Sequence, residues 1–288
     1  MTSATEAQPR GLNISEAAFE PLSDIRAEHG ESPIWSERDH SVWWVDVVGR
    51  KLLRSSLDGG TSVWPTPEAP GFVQQTPDGR LFVGMQSGIF QFTPATGVFH
   101  RHASLAQDGV RFNDACLDAR GCIWAGTMDM DNLRDNGVLY RFDPSTQKLV
   151  TVCDGLRTVN GLAWDEERNR LYVSDSHPSV QTVWTLDVGE LRSFSGQRKR
   201  FATFDDLAGR PDGAAIDRAG SYWIAGVGGG EIYRFAPDGQ LTGIHRVPVT
   251  SPTKIAFGPG RDPEMVLTSF ADGGSGGRLA IWKTPLGK

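Results

Sequence analysis

Six short apolar runs, each entered from a polar turn, recur along the chain. They are DHSVWWVD (39–46), DGRLFVG (78–84), RGCIWAG (120–126), RNRLYVS (168–174), AGSYWIAG (219–226) and DPEMVLTS (262–269). With Trp43, Phe82, Trp124, Tyr172, Trp223 and Val266 taken as equivalent, successive repeats lie 39, 42, 48, 51 and 43 residues apart. Most are followed by a second alternating run, such as GIFQFTP (88–94) or GVLYRFDP (137–144), and often by a third, such as KLVTVC (148–153). Alternation with period two predicts half-buried strands, and groups of four short strands at this repeat length predict an all-β fold, a six-bladed β-propeller. Helical periodicity is poor throughout. ISEAAFEPL (14–22) is the best helix candidate and reads equally well as an irregular lead-in followed by a strand.

The final repeat offers only TKIAFG (253–258), EMVLTS (264–269) and RLAIWK (278–283). An uncovered sheet edge is a pairing hazard, so the segment 19–25 is expected to close the last blade as an N-terminal strand. Residues 1–12 then read as a disordered tail, and 13–288 as a single propeller domain.

Composition narrows the setting. Glycine at 34 of 288 residues, with 17 prolines, supplies turn chemistry suited to many short strands. Charges of 29 basic against 35 acidic, without long like-charge runs, argue against a nucleic-acid or anionic-membrane partner. No stretch approaches the roughly 18 apolar residues that span a bilayer as a helix. MTSATEAQPRG carries no basic-then-apolar signal, and three cysteines without CxxC spacing (Cys116, Cys122, Cys153) build no disulfide framework. A cytoplasmic location is therefore expected, with the protein a monomer or a weak homo-oligomer.

Upstream of each repeat lies one further strand: ESPIW (31–35), GFVQQ (71–75), NDACL (113–117), NGLAW (160–164), DGAAI (212–216) and TKIAF (253–257). Their first residues, Glu31, Gly71, Asn113, Asn160, Asp212 and Thr253, share one register, lying 12, 11, 11, 12, 11 and 13 positions before the equivalent aromatic or Val266. In a propeller the innermost strands line the axis, so one register forms a ring. Four of its six members carry carbonyl-type oxygens, two as carboxylates and two as amides. Such groups facing one point repel or go underhydrated unless a cation sits between them. Hard oxygen donors suit Ca²⁺, Mg²⁺ or Mn²⁺, with Zn²⁺ or Fe²⁺ also accommodated through carboxylates. The competing structural reading is that Asn and Asp at strand starts only hydrogen-bond turns.

GESPIW with WWVD, RFNDACLDARGCIWAGTM (111–128), NGLAW with LYVSDS, and RPDGAAID (210–217) followed by YWIA resemble the gluconolactonase, regucalcin and luciferin-regenerating-enzyme family over about residues 24–270. The resemblance implies a six-bladed propeller with one divalent metal on its axis, calcium first among the candidates, and hydrolysis of a small-molecule sugar lactone. Carried over by position, it implies Glu31, Asn160 and Asp212 as metal ligands. It also implies Asn113 and Arg111 as substrate contacts, with a further acidic contact near Asp131. DMDN (129–132) departs from the family pattern there, and Asp129 competes for that role.

Lactone opening needs an activated water and a stabilised oxyanion. Asp212 is the expected general base, and the guanidinium fork of Arg111 suits sugar hydroxyls or the developing oxyanion. His29 and His177 fall near the expected mouth, and Phe72, Gln74, Met85 and the loop 129–136 are candidate pocket walls. Two other readings stay open: a non-catalytic calcium-binding regulatory propeller, and a different small-ester or organophosphate hydrolase on the same metal site.

Overall fold

The computed structural model describes residues 11–188, 198–260 and 263–283, among which all regular elements are strands. The strands assemble into six sheets, antiparallel except for one added edge strand, numbered here as blades in chain order. Blades one to four each take four consecutive strands, spanning 30–65, 72–104, 110–156 and 159–203. Blade five spans 210–246, and blade six begins with Pro252–Phe257, Met265–Ser269 and Ala280–Trp282.

Closure comes from the N-terminus, as expected from the short final repeat. The strand Glu20–Pro21 pairs antiparallel with Ala280–Trp282, Glu20 opposite Ile281 and Pro21 opposite Ala280. The segment offered as the best helix candidate is strand and connector. Asn13–Glu16 runs parallel to Leu241–Arg246, a fifth strand on the outer edge of blade five that sequence reasoning did not anticipate. The proposed tail falls outside the described residues up to position 10, and only Gly11 and Leu12 precede this strand.

The ring is held by six apolar clusters, one at each junction between neighbouring blades, including the seam of blades six and one. Each cluster holds one of the six repeat residues: Trp43, Phe82, Trp124, Tyr172, Trp223 and Val266 are all at most 1% exposed. The tryptophans thus serve packing between blades. A buried indole N–H needs an acceptor, and the DxxGxxW turns supply it. Asp118 accepts from the backbone N–H of Arg120 and Cys122 and from Trp124 Nε1 at 3.0 Å, with the Arg141 guanidinium above the indole. Asp217 repeats this with Ala219, Ser221, Trp223 and Arg234. The cysteines are free thiols: Cys116 and Cys122 are buried and Cys153 is half-buried.

Candidate functional site

The pairing of first and second strands tests the proposed ring. Ile34, Gln74, Cys116, Ala163, Ala215 and Ala256 lie opposite Trp43, Phe82, Trp124, Tyr172, Trp223 and Val266. Three residues before each of these six stand Glu31, Gly71, Asn113, Asn160, Asp212 and Thr253, so the register is common to all blades. The uneven spacings in sequence come wholly from hairpins of different length. In five blades the ladder also shifts at or beside this position, between Glu31 and Ile34, Phe112 and Ala115, Asn160 and Ala163, Pro211 and Ala214, and Pro252 and Lys254. Bulges re-aim side chains and are common next to active sites. Blade two keeps an unbroken ladder and carries Gly71, where a Cβ would lie 2.0 Å from the Phe112 carbonyl oxygen.

Glu31, Asn160 and Asp212 are all buried. Glu31 Oε2 accepts the Ser32 backbone N–H at 3.0 Å, and its Oε1 lies 3.6 Å from His29 Nε2. Burial, reinforced by the neighbouring Glu31 and Asp114 carboxylates, pushes the Asp212 pKa well above the usual carboxylate range, with Arg210 and Lys254 pulling the other way. Asp212 Oδ1 is buried without a hydrogen-bond partner among the described residues. Asn113 donates through Nδ2 to the Val159 carbonyl at 3.1 Å, tying blade three to the strand that carries Asn160. Arg111 sits above Asn113, its Nη1 on the Phe112 carbonyl at 3.0 Å; burial lowers its pKa and the attraction of Glu31 and Asp212 opposes that.

Two interacting buried carboxylates, one with an orphaned oxygen, are costly alone and suit a hard divalent cation. Among the described residues no group of three or more His, Cys, Asp or Glu side chains is placed to hold a metal. A cation here would therefore take a mixed set of carboxylate and amide oxygens.

One residue below the ring, a buried ion pair crosses the channel. Lys254 Nζ of blade six bonds Asp114 Oδ1 of blade three, the blade opposite, and donates to the Ala115 carbonyl at 2.8 Å. Asp114 Oδ2 accepts the Leu162 N–H at 2.8 Å, and Gln74 Nε2 donates to the same Ala115 carbonyl at 3.0 Å. Gly213 lets the lysine stem pass, since a Cβ there would fall 2.4 Å from Lys254 Cβ. Beneath this floor the channel opens to the other face as a funnel of about 250 Å³ with Ile34, Leu117, Trp164, Ile216 and Phe257 in its wall. Neither Asp114 nor Lys254 is apparent as a site residue in sequence. The one available signal was a lone lysine inside the apolar run TKIAFG (253–258).

The remaining candidates divide. Asp131 is exposed on the loop after blade three's second strand. Asp129 is fully buried and committed to that loop: it accepts the N–H groups of Leu133 and Arg134 and pairs with the Arg134 guanidinium at 2.6 Å, which hold its pKa down to about 2. Phe72 and Met85 lie in the packing between blades rather than in a pocket wall, and Gln74 belongs to the channel floor. His29 stacks on Phe270 with ring centroids 3.8 Å apart, beside Glu31. His177 bonds Ser179 in its own loop.

Known proteins share this arrangement of strands. The structure superposes with a TM-score of 0.85 on a calcium-binding regucalcin from Agrobacterium tumefaciens, at 24% identity, covering 94% of this chain and 95% of that one. In sequence the chain is 33% identical to a 6-deoxy-6-sulfogluconolactonase from Pseudomonas putida, over 88% of this chain and 87% of the relative. It is 31% identical to a pentonolactonase from Haloferax volcanii, over 88% and 86% respectively. The model of the SMP-30/Gluconolactonase/LRE-like region matches residues 29–271, which hold the whole ring and most of all six blades, and the chain belongs to that family.

Proposed function

We propose that this protein hydrolyses a sugar aldonolactone to the aldonic acid at the axial ring, with a divalent cation held by Glu31, Asn160 and Asp212. The observation that carries this reading is the buried, unpartnered Asp212 Oδ1 beside a second carboxylate. Support for the substrate class comes from relatives named as lactonases of a sulfo-sugar and of pentoses at 31–33% identity. When bound, such a cation polarises an ester carbonyl and acidifies a coordinated water.

The chain's own groups supply the remainder. Asp212, a carboxylate at the ring, takes a proton from the attacking water as the water oxygen adds to the lactone carbonyl carbon. The acyl–oxygen bond then breaks and the ring oxygen leaves as a hydroxyl, receiving that proton. Arg111 offers a rigid donor fork to the developing oxyanion or to ring hydroxyls, and Asn113 presents its carboxamide oxygen to a hydroxyl. Lys254 and Asp114 close the channel below, so water and substrate enter from one side. Calcium is the first candidate for the ion, because every donor is oxygen.

A pH-stat assay of pentono- and hexonolactones on chelator-treated protein, with metals restored singly, tests this. Hydrolysis is expected to vanish on stripping and return with one divalent ion, and Asp212→Ala is expected to stay folded while losing at least about 100-fold in kcat. Full activity after stripping would overturn the metal-dependent mechanism. A metal-induced rise in melting temperature without turnover of any lactone would replace the hydrolase with a binding propeller.

A further inference from the structure

Two residues above the ring, at the channel mouth, the same register carries His29, Ala69, Arg111, Thr158, Arg210 and Ser251. The charged members, Arg111 and Arg210, lie in blades three and five, flanking Asn160 of blade four. Each stands two residues before a ring position on the innermost strand of its blade, within electrostatic reach of Asp212. Arg210 is half-buried, and its side chain makes no hydrogen bond or ion pair among the described residues. Its strand pairs with Val227, after which the chain turns through Gly228, Gly229 and Gly230. A Cβ added at Gly228 would meet nothing within 4 Å, so the turn that follows the strand partner of Arg210 is uncrowded.

The charge balance says what the two arginines are for. Asp114 and Lys254 cancel. Glu31 and Asp212 suffice to neutralise a divalent cation, so Arg111 and Arg210 are not needed to hold one; by Coulomb's law they oppose it. Counted over these six side chains and a bound divalent cation, the site would carry a net charge of about +2. An uncharged sugar leaves that charge unanswered in a partly desolvated cleft. Guanidinium forks match the planar or tetrahedral oxygens of carboxylate, sulfonate and phosphate groups.

We propose that Arg210 forms an anion-reading rim above the ring, across Asn160 from Arg111, and that the preferred lactone carries a second, negatively charged oxyacid group away from the ester. This rests on the lactonase reading and specifies its substrate. Arg210 is then a specificity-determining contact on the substrate's charged end.

The test compares gluconolactone with two anionic counterparts, glucarolactone and 6-phosphogluconolactone, on metal-loaded wild type, Arg210→Gln and Arg210→Lys. Wild type is expected to favour at least one anionic lactone by about tenfold or more in kcat/KM, with that advantage shrinking as salt is raised. In Arg210→Gln the ratio of anionic to neutral efficiency is expected to collapse toward one, mainly through KM, and Arg210→Lys is expected to recover part of it. Equal or better use of the neutral lactone by wild type, or a ratio unchanged in Arg210→Gln, overturns the proposal.

Calorimetric binding of gluconate and glucarate separates this from failure of the lactonase reading. Even where no lactone is opened, the dicarboxylate is expected to bind wild type about tenfold or more tighter than gluconate, and Arg210→Gln to lose that difference. Equal affinities overturn the rim.

Discussion

Lys254 shows how much a single side chain's meaning depends on the closed ring. In sequence it is one lysine among apolar residues of an innermost strand; in the fold it reaches across the axis to Asp114, and both are at most 4% exposed. Breaking a buried pair from one side leaves an uncompensated charge, so Lys254→Met is expected to destabilise the protein by about 3–5 kcal/mol in urea denaturation. The double variant with Asp114→Asn is expected to regain much of that loss, because no lone charge remains. A single variant as stable as wild type would mean that the pair contributes nothing. The common register of Glu31, Asn113, Asn160 and Asp212 was legible because each can be counted back from its repeat's aromatic residue. Lys254 occupies one of the same strands, but its partner sits on another blade, and no local pattern announces a contact across the axis.

At the scale of elements, the second and third strands of each blade were readable from alternation and turn residues, and the closing strand within 19–25 from the short last repeat, whereas the strand Asn13–Glu16 was not. Asn13–Glu16 pairs in parallel with a strand more than 220 residues away, which no short-range pattern encodes. Its docking involves His245 on Leu241–Arg246. Ser15 Oγ bonds His245 Nδ1 at 2.8 Å, while the ring stacks on Trp223 and approaches Trp282. Burial, with the nearby Arg234 cation, drives the His245 pKa down to about 4, and its Nε2 has no hydrogen-bond partner among the described residues. The folded protein thus binds fewer protons here than the unfolded chain, whose histidine titrates near its ordinary value of about 6.5. Stability from this group is complete above that value and is expected to fall as pH drops from about 6.5 to 4. Chemical denaturation across that range tests it: His245→Phe is expected to flatten this part of the profile, and a profile identical to wild type would remove His245 as its source.

The whole molecule is a ring whose site exists only when the seam is shut. Blade one brings Glu31 and blade five brings Asp212, and between them blade six is completed by residues from the opposite end of the chain. The seam is stitched by Thr253 Oγ1 donating to the Gly30 carbonyl at 2.6 Å, by the bridge between His29 and Phe270, and by the Ala271 N–H on the Glu28 carbonyl. Six blades were predictable because each repeat contributes one large residue to one junction; how the seam closes depends on pairings between distant strands, of which the short last repeat and the spare segment 19–25 gave the sign but not the register. Removing residues 1–21 strips both N-terminal strands, together with Ala17 and Phe19 from the junction of blades five and six. The truncated protein is expected to melt at a lower temperature and to be cleaved first around Ala280–Trp282, whose outer edge is then unpaired. Its stabilisation by saturating divalent metal is expected to shrink well below that of the full chain, because the ligands from blades one and five lose their fixed spacing. Equal metal-induced shifts in the two forms would mean that the ion is held by neighbouring blades alone and that ring closure serves stability without shaping the site.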